Sequence, residues 1–266
     1  MDINEAIKAR HSVRRYKDIP IKEQDKEKLQ SVIDACNKES GLNIQLILND
    51  PECFDTFLAH YGKFENAKNY IALVGKKSDK HLFELCGYFG QKIVLEAQIL
   101  GLNTCWVAGT YGKGKCKAEI QKDEKLACVI SIGYGETQEH PHNSKPLEKI
   151  CQIPENEMSD WFKKGVEAAL LAPTAINQQQ FVISLEENKP VIKAKNGPYS
   201  RIDLGIVKFN FEVASNSKIR LLPLVYVTTG ACDSYFSKSK IAILLSVTLR
   251  AKPAFVQSLL KNFSED

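Results

Sequence analysis

A compact basic segment near the start of the chain has residue types that suit a phosphate group. It contains Arg10, His11, Ser12 and Arg14 within five residues. Two guanidinium groups can each bind a different phosphate oxygen, and a serine hydroxyl with nearby backbone N–H groups adds neutral donors. Solvated basic turns have the same composition. The segment is therefore a candidate phosphate site, with a surface turn as the alternative.

Other arrangements of reactive side chains are weak in this sequence. The eight cysteines are scattered without a Cys-x-x-Cys pair, and a chain of this length needs no disulfides, so we expect reduced thiols. His140 and His142 have a spacing that can hold a metal, but Pro141 separates them in a polar stretch, and we expect no metal there. The sequence has no Gly-x-Gly-x-x-Gly or Gly-Lys-Ser/Thr phosphate loop, and no residue pattern suggests side-chain catalysis.

Composition indicates a soluble globular protein. Of 266 residues, 44% are hydrophobic and 26% charged, which is enough apolar material for a packed core. The net charge of +4 is modest, so nucleic acid is not the expected partner. Residues 113–117 form a second basic cluster. The N-terminus is acidic where a secretory signal is basic, and apolar stretches such as 241–245 are shorter than the ~20 residues of a membrane span. We expect a cytoplasmic protein without a membrane segment.

Hydrophobic periodicity predicts the elements that must position the basic segment. We expect an α+β fold, because helices and strands alternate without a regular βαβ repeat. Residues 103–109 are predicted to form a compact loop, and the polar stretch 140–154 a linker. The predicted helices are 2–10, 24–38, 54–61, 82–100, 160–171 and 203–215, and the predicted strands are 44–48, 70–74, 127–132, 180–185 and 190–194.

Two parts of the sequence echo each other, which is the sign of an internal repeat. A helix, three polar residues and a strand occur over residues 29–48 and again over 162–183, with the polar residues offset by a constant 134. A second echo pairs the helix around Gly87 with the helix around Gly205. We expect a first half over residues 1–153 and a second half over 154–266, with an unassigned tail from about 218.

Four motifs together resemble the nitroreductase family of FMN-dependent oxidoreductases, over about residues 1–215. The Arg-x-Ser-x-Arg pattern at 10–14 is similar to the opening signature of that family. Residues 172–179 resemble its Ala-Pro-Ser-x-x-Asn-x-Gln segment, and 95–109 resemble its long helix and following flavin-facing loop. Residues 130–134, with Lys-Pro-Leu-Glu at 145–148, are similar to its last core strand and the basic residue beyond it. The resemblance implies a nitroreductase-like fold with a central, mostly antiparallel sheet flanked by helices.

The order of these motifs departs from that of the usual family, in which the flavin lies between two subunits. The first-half stretch 39–43 lacks the proline, and the intact version lies in the second half. That half has no Arg-x-Ser-x-Arg before its helix, only residues 155–163. The pattern resembles a fused, duplicated branch in which one chain imitates the dimer. It implies one FMN per chain and a monomer that resembles a dimer, or a weak homo-oligomer.

The resemblance also implies roles for individual residues. The phosphate and ribityl chain would be held by the 10–14 segment and Lys145, and the ribityl or the polar ring edge by the 172–179 segment. The loop 106–109 would lie along the ring with a backbone N–H near N5, although Trp106 could equally be an ordinary core aromatic. The full set of expected cofactor-binding residues is Arg10, His11, Ser12, Arg14, Trp106, Val107, Ala108, Gly109, Lys145, Pro173, Thr174, Asn177 and Gln179.

The function implied by the resemblance is hydride transfer from NADH or NADPH to a small-molecule acceptor, such as a nitroaromatic or quinone, by a ping-pong mechanism. The flavin would carry the chemistry, and no side chain is expected to be catalytic. A flavin-binding sensor or storage protein without turnover is the main alternative, and a small nucleic-acid-binding domain a weaker one. The tail has no functional interpretation, although 241–249 is strand-like and 252–263 helical.

Overall fold

The structure is a computed structural model that describes residues 1–57, 59, 62–137 and 143–219. The pair His140 and His142, the predicted elements of the tail, and parts of the predicted linker and of the helix at 54–61 lie outside these residues. The helices are α1 Ile3–Ala9, α2 Glu23–Ser40, α3 Leu82–Ile99, α4 Asp160–Leu170 and α5 Ser200–Ser215. The strands are β1 Asn43–Ile47, β2 Tyr70–Lys76, β3 Asn103–Val107, β4 Glu124–Gly133, β5 Phe181–Glu186 and β6 Lys189–Ala194.

Strands β1 to β4 form an antiparallel sheet in the order β1-β2-β4-β3. The two central strands are buried on both faces, because alternate side chains along a strand point to opposite sides. In β2, Ile71 and Leu73 join one apolar cluster and Tyr70 and Ala72 join another. Strands β5 and β6 form a separate hairpin. The predicted α+β fold with a mainly antiparallel sheet is confirmed.

The prediction of a loop over 103–109 is wrong for its first five residues, which form edge strand β3. Asn103 and Gly109 are turn-forming residue types, so they favoured a loop prediction over the short run of strand-forming residues between them. The hydrogen bonds that define the strand come from β4, where Cys105 pairs with Ser131 and Trp106 with Ile130. Partners this distant cannot be read from the local sequence pattern.

Helices α3 and α5 cross at two glycines. A Cβ atom on Gly87 would lie 2.0 Å from the Ile202 carbonyl oxygen, and one on Gly205 would lie 2.0 Å from the Glu84 carbonyl oxygen. Real side-chain carbons do not approach backbone this closely, so the crossing requires glycine at both positions. Gly87 and Gly205, which the internal sequence similarity matched to each other, are therefore in contact. The duplication itself stays a prediction, since the described first half carries four strands and the described second half two.

Residues 1–219 form one compact unit with a continuous main core. That core contains Leu29 and Ile33 from α2 together with Phe162 from α4 and Phe181 from β5. A buried ion pair, in which Lys208 Nζ lies 2.5 Å from a Glu84 carboxylate oxygen, joins α5 to α3. Both proposed halves thus contribute to one hydrophobic interior. Within the described part of the chain, no helix is both long and apolar enough to cross a bilayer.

Candidate functional site

The basic segment at 10–14 is held in an extended conformation beside β3. Helix α1 starts with a capping box between Asp2 and Glu5 and ends at Arg10, whose backbone is already extended. The Val13 N–H then donates to the Thr104 carbonyl at 3.0 Å. Side chains of extended backbone alternate, so Val13 is fully buried while its neighbours on either side line a cavity.

This cavity has a volume of about 720 Å³, within the range of roughly 300–1,000 Å³ that is usual for small-molecule and cofactor sites. Most of its wall comes from three parts of the chain: the 10–14 segment, the end of β3 with residues 108–110, and the 173–177 loop with the start of α5. The structure brings together eleven of the thirteen expected site residues: Arg10, His11, Ser12, Arg14, Trp106, Val107, Ala108, Gly109, Pro173, Thr174 and Asn177.

Arg10 is the dominant electrostatic feature of the cavity. Its side chain is buried, with the residue 5% exposed, and its Nε has no hydrogen-bond partner. Burial lowers the pKa of Arg10 to about 10, and no described carboxylate contributes to offset this effect. The neighbouring His11 Nε2 is also buried without a partner. A buried, unpaired cation is costly, so an anion in the cavity would relieve an existing electrostatic penalty.

The 173–177 loop carries unusual backbone strain. Ile176 and Asn177 have φ values of 51° and 54°, in the left-handed region that a β-branched residue such as isoleucine seldom adopts. The loop is held in place because the Ala175 N–H donates to both carboxylate oxygens of Asp203, each at 3.1 Å. The Asn177 amide donates to the Asn143 carbonyl at 2.7 Å. Strain of this kind tends to concentrate at ligand-binding sites.

Lys145 and Gln179 are the two expected site residues that the structure does not place on the cavity wall. Lys145 Nζ donates to the carbonyl of Gln178, and the Lys145 backbone N–H donates to Gln179 Oε1 at 2.8 Å. Gln179 is 1% exposed, and its amide donates to Asn177 Oδ1 at 3.0 Å. Both residues therefore hold the strained loop and the residues that follow it, without lining the cavity.

Trp106 packs in the core and also lines the cavity. Its indole packs on α3 so closely that a Cβ on Gly90 would lie 2.5 Å from the ring, and its Nε1 faces Gln91 Oε1 at 3.4 Å. The same side chain also lines the cavity. It is thus a core aromatic with one edge at the site.

Sequence reasoning missed several residues of the wall, of which Asp203 is the most notable. An acidic residue in the first turn of a helix is an ordinary stabilising feature, so nothing local distinguished it. In the fold it is 6% exposed, and burial raises its pKa to about 7. The other missed wall residues are Cys105, Thr110, Cys128, Asn143, Ala175, Ile176, Pro198, Tyr199, Ile202 and Ile206.

Comparison with known families gives a match over residues 2–215 to the family described as "Putative TM nitroreductase". This chain belongs to that nitroreductase family. Membership confirms the family that the four motifs predicted, and it supports an oxidoreductase activity. No curated protein sequence matches this chain.

A solved structure has the same fold. The crystal structure of a putative nitroreductase from Thermotoga maritima is 22% identical, with a TM-score of 0.59, and the match covers 80% of this chain and 83% of that one. A putative NADH dehydrogenase/NAD(P)H nitroreductase from Parabacteroides distasonis is 24% identical, with a TM-score of 0.46, over 59% of this chain and 98% of that one. An FMN-dependent nitroreductase from Clostridium difficile is 20% identical, with a TM-score of 0.42, over 52% and 90%.

Proposed function

We propose that this protein is an FMN-dependent oxidoreductase that passes hydride from NADH or NADPH to a small-molecule acceptor, such as a nitroaromatic or quinone, by a ping-pong mechanism. The observation that carries the proposal is the unpaired guanidinium of Arg10, buried in a cavity of suitable size. FMN has a phosphate dianion at one end, which would give this cation the anionic partner that the described residues do not supply.

The rest of the cavity fits the other parts of FMN. Ser12 adds a hydroxyl beside the arginines. The carboxamide of Asn177 donates one N–H to Asn143 and accepts from Gln179, and its second N–H would be available to a polar group of the flavin. Val107 and Ala108 provide an apolar wall suited to the flat ring system. When bound, the flavin supplies the hydride chemistry, and the protein supplies binding, orientation and electrostatics.

The chain's own groups have definable tasks in this scheme. Arg10 and Arg14 bind the phosphate, and the strained 173–177 loop forms a second wall of the cavity. Asp203 holds a proton inside the cavity up to about neutral pH, because burial raises its pKa to about 7. Both walls come from one polypeptide, so we propose one flavin per chain, bound without dimerisation.

The visible spectrum of the purified protein tests the proposal most directly. We expect flavin bands, bleaching by NADH or NADPH without oxygen, and recovery of colour on addition of a quinone. Titration of flavin-free protein with FMN, combined with light scattering, should give one flavin per monomer. Failure to bind FMN refutes the proposal, whereas flavin that no nicotinamide bleaches identifies a sensor or storage protein. Two flavins per chain, or binding only by a dimer, contradicts the stoichiometry.

Arginine variants test the site itself. Arg10→Ala removes a charge-assisted contact worth roughly 1.5–3 kcal/mol, so the Kd for FMN should rise by about one to two decades. Arg15→Ala is the matched control, because Arg15 is half exposed and already paired with Glu65 and Glu136 outside the cavity. Equal FMN affinity in the two variants would remove Arg10 from the site.

A further inference from the structure

A second group of reactive side chains lies outside the cavity, where the short helix Pro51–Cys53 meets the loop that follows β3. The Gly112 N–H donates to the Cys53 carbonyl at 2.7 Å. Cys116 packs against the apolar cluster that contains Cys53, although 63 positions separate the two cysteines in the sequence. Neither cysteine lines the cavity. The folded backbone thus brings two thiols together outside the cavity.

The two thiols are not equivalent. Cys53 is fully buried, whereas Cys116 is partly exposed, unlike every other cysteine in the described part of the chain. A hydrogen bond from Cys53 and one from the Ala118 N–H lower the pKa of Cys116 below its ordinary value. The hydrogen bond between the two thiols raises the pKa of Cys53. Because the thiolate is the nucleophilic form of cysteine, Cys116 is the attacking thiol. Cys53 is its buried partner.

The surroundings of Cys116 balance a negative charge with a positive one. The Asp50 carboxylate opposes the thiolate, but it accepts a hydrogen bond from the Tyr70 hydroxyl at 2.6 Å and pairs with Lys117 Nζ at 3.2 Å. The positive charge of Lys117 thus offsets the negative charge of Asp50 beside Cys116. The ionisable groups packed around the pair of thiols are Tyr70, Tyr111, Asp50 and Lys117.

We propose that Cys53 and Cys116 form a reversible dithiol/disulfide site that reacts with low-molecular-weight disulfides. The Cys116 thiolate attacks one sulfur of the small disulfide, forms a mixed disulfide and expels the other half as a thiolate. That thiolate takes the Cys53 proton, and the Cys53 sulfur then attacks the Cys116 sulfur and expels the second half as a thiolate, which takes a proton from water. Two protein thiols are oxidised and one disulfide is reduced to two thiols. The proposal does not depend on the flavin.

Oxidised glutathione is a suitable probe for the reduced full-length protein at pH 7. Peptide mapping should find a Cys53–Cys116 disulfide with no glutathione retained, and dithiothreitol should restore both thiols. Cys53→Ala should trap glutathione on Cys116, while Cys116→Ala should leave Cys53 unreacted. Cys36→Ala, which changes a buried thiol elsewhere, should behave as wild type. Glutathione on other cysteines in preference to Cys116, or no disulfide between these two, overturns the proposal.

The pH profile of alkylation by iodoacetamide gives a second readout. Between pH 7 and pH 8 the alkylation rate at wild-type Cys116 should rise much less than the nearly tenfold gain of an ordinary thiol, because its lowered pKa leaves more of the thiol ionised at pH 7. Cys53→Ala should restore the steep increase at Cys116. Comparison of all cysteines within the wild-type protein needs no variant. A steep wild-type profile at Cys116, or slower alkylation there than at the buried cysteines, refutes the pairing.

Discussion

Replacing Asp203 by asparagine should stabilise the protein at alkaline pH and much less at acid pH. The carboxyl is 6% exposed, and both of its oxygens accept from the Ala175 N–H at 3.1 Å. Burial raises the pKa of Asp203 from its usual 3.8 to about 7. Above pH 7 the folded protein must therefore hold a carboxylate in a site that favours the neutral acid.

The size of the effect follows from the pKa difference. Each pKa unit corresponds to about 1.36 kcal/mol, so the fully ionised group destabilises the fold by about 4 kcal/mol, and by about 1.5 kcal/mol at pH 5. The folded protein keeps its proton up to about pH 7, whereas the unfolded chain releases it near pH 4. Stability therefore falls as the pH rises between these values, and asparagine abolishes this loss. The stability difference between Asp203→Asn and wild type should grow by about 3 kcal/mol from pH 5 to pH 9.

Urea unfolding of ligand-free protein, followed by far-ultraviolet circular dichroism at both pH values, measures this difference. Asp123→Asn is the control, because the pKa of exposed Asp123 is lowered by its pairing with Lys76 at 2.7 Å. Its carboxylate favours folding above the usual pKa, so this substitution should not give the alkaline stabilisation. An Asp203→Asn difference that stays the same at pH 5 and pH 9 would refute the reasoning.

Two further substitutions test the cavity and the helix crossing. Asn177→Ala should weaken FMN binding by about five- to tenfold in a titration, the value of one lost hydrogen bond. Asn43→Ala is the control, because the Asn43 amide donates to Glu124 away from the cavity. This control should leave FMN affinity unchanged and affect only stability. Gly87→Ala would place a Cβ 2.0 Å from backbone and should destabilise the fold by about 3 kcal/mol or more in thermal unfolding. Gly114→Ala, with no atom within 4 Å of its Cβ position, should be nearly neutral; equal losses from both would show that the crossing tolerates a side chain.

The local sequence was sufficient for the five described α-helices and for most strands, but residues 54–56 of the helix predicted at 54–61 are not helical. The apolar spacing predicted a helix at 24–38, and the structure has Glu23–Ser40. The run predicted as a strand at 127–132 lies inside the longer β4. The resemblance to the nitroreductase family also pointed to most of the cavity wall, since eleven of the thirteen residues that it implied line the cavity.

Burial and long-range pairing were decided by the tertiary structure. Strand β3 exists because β4 supplies its hydrogen bonds. Lys145 lies off the cavity wall because the carbonyls of Gln178 and Gln179 accept from its ammonium group. Asp203 has an altered pKa only because the fold removes it from water. Cys53 and Cys116 are partners only because two loops meet. Periodicity and residue type are properties of neighbouring residues, whereas desolvation and contact depend on groups brought together from far along the chain.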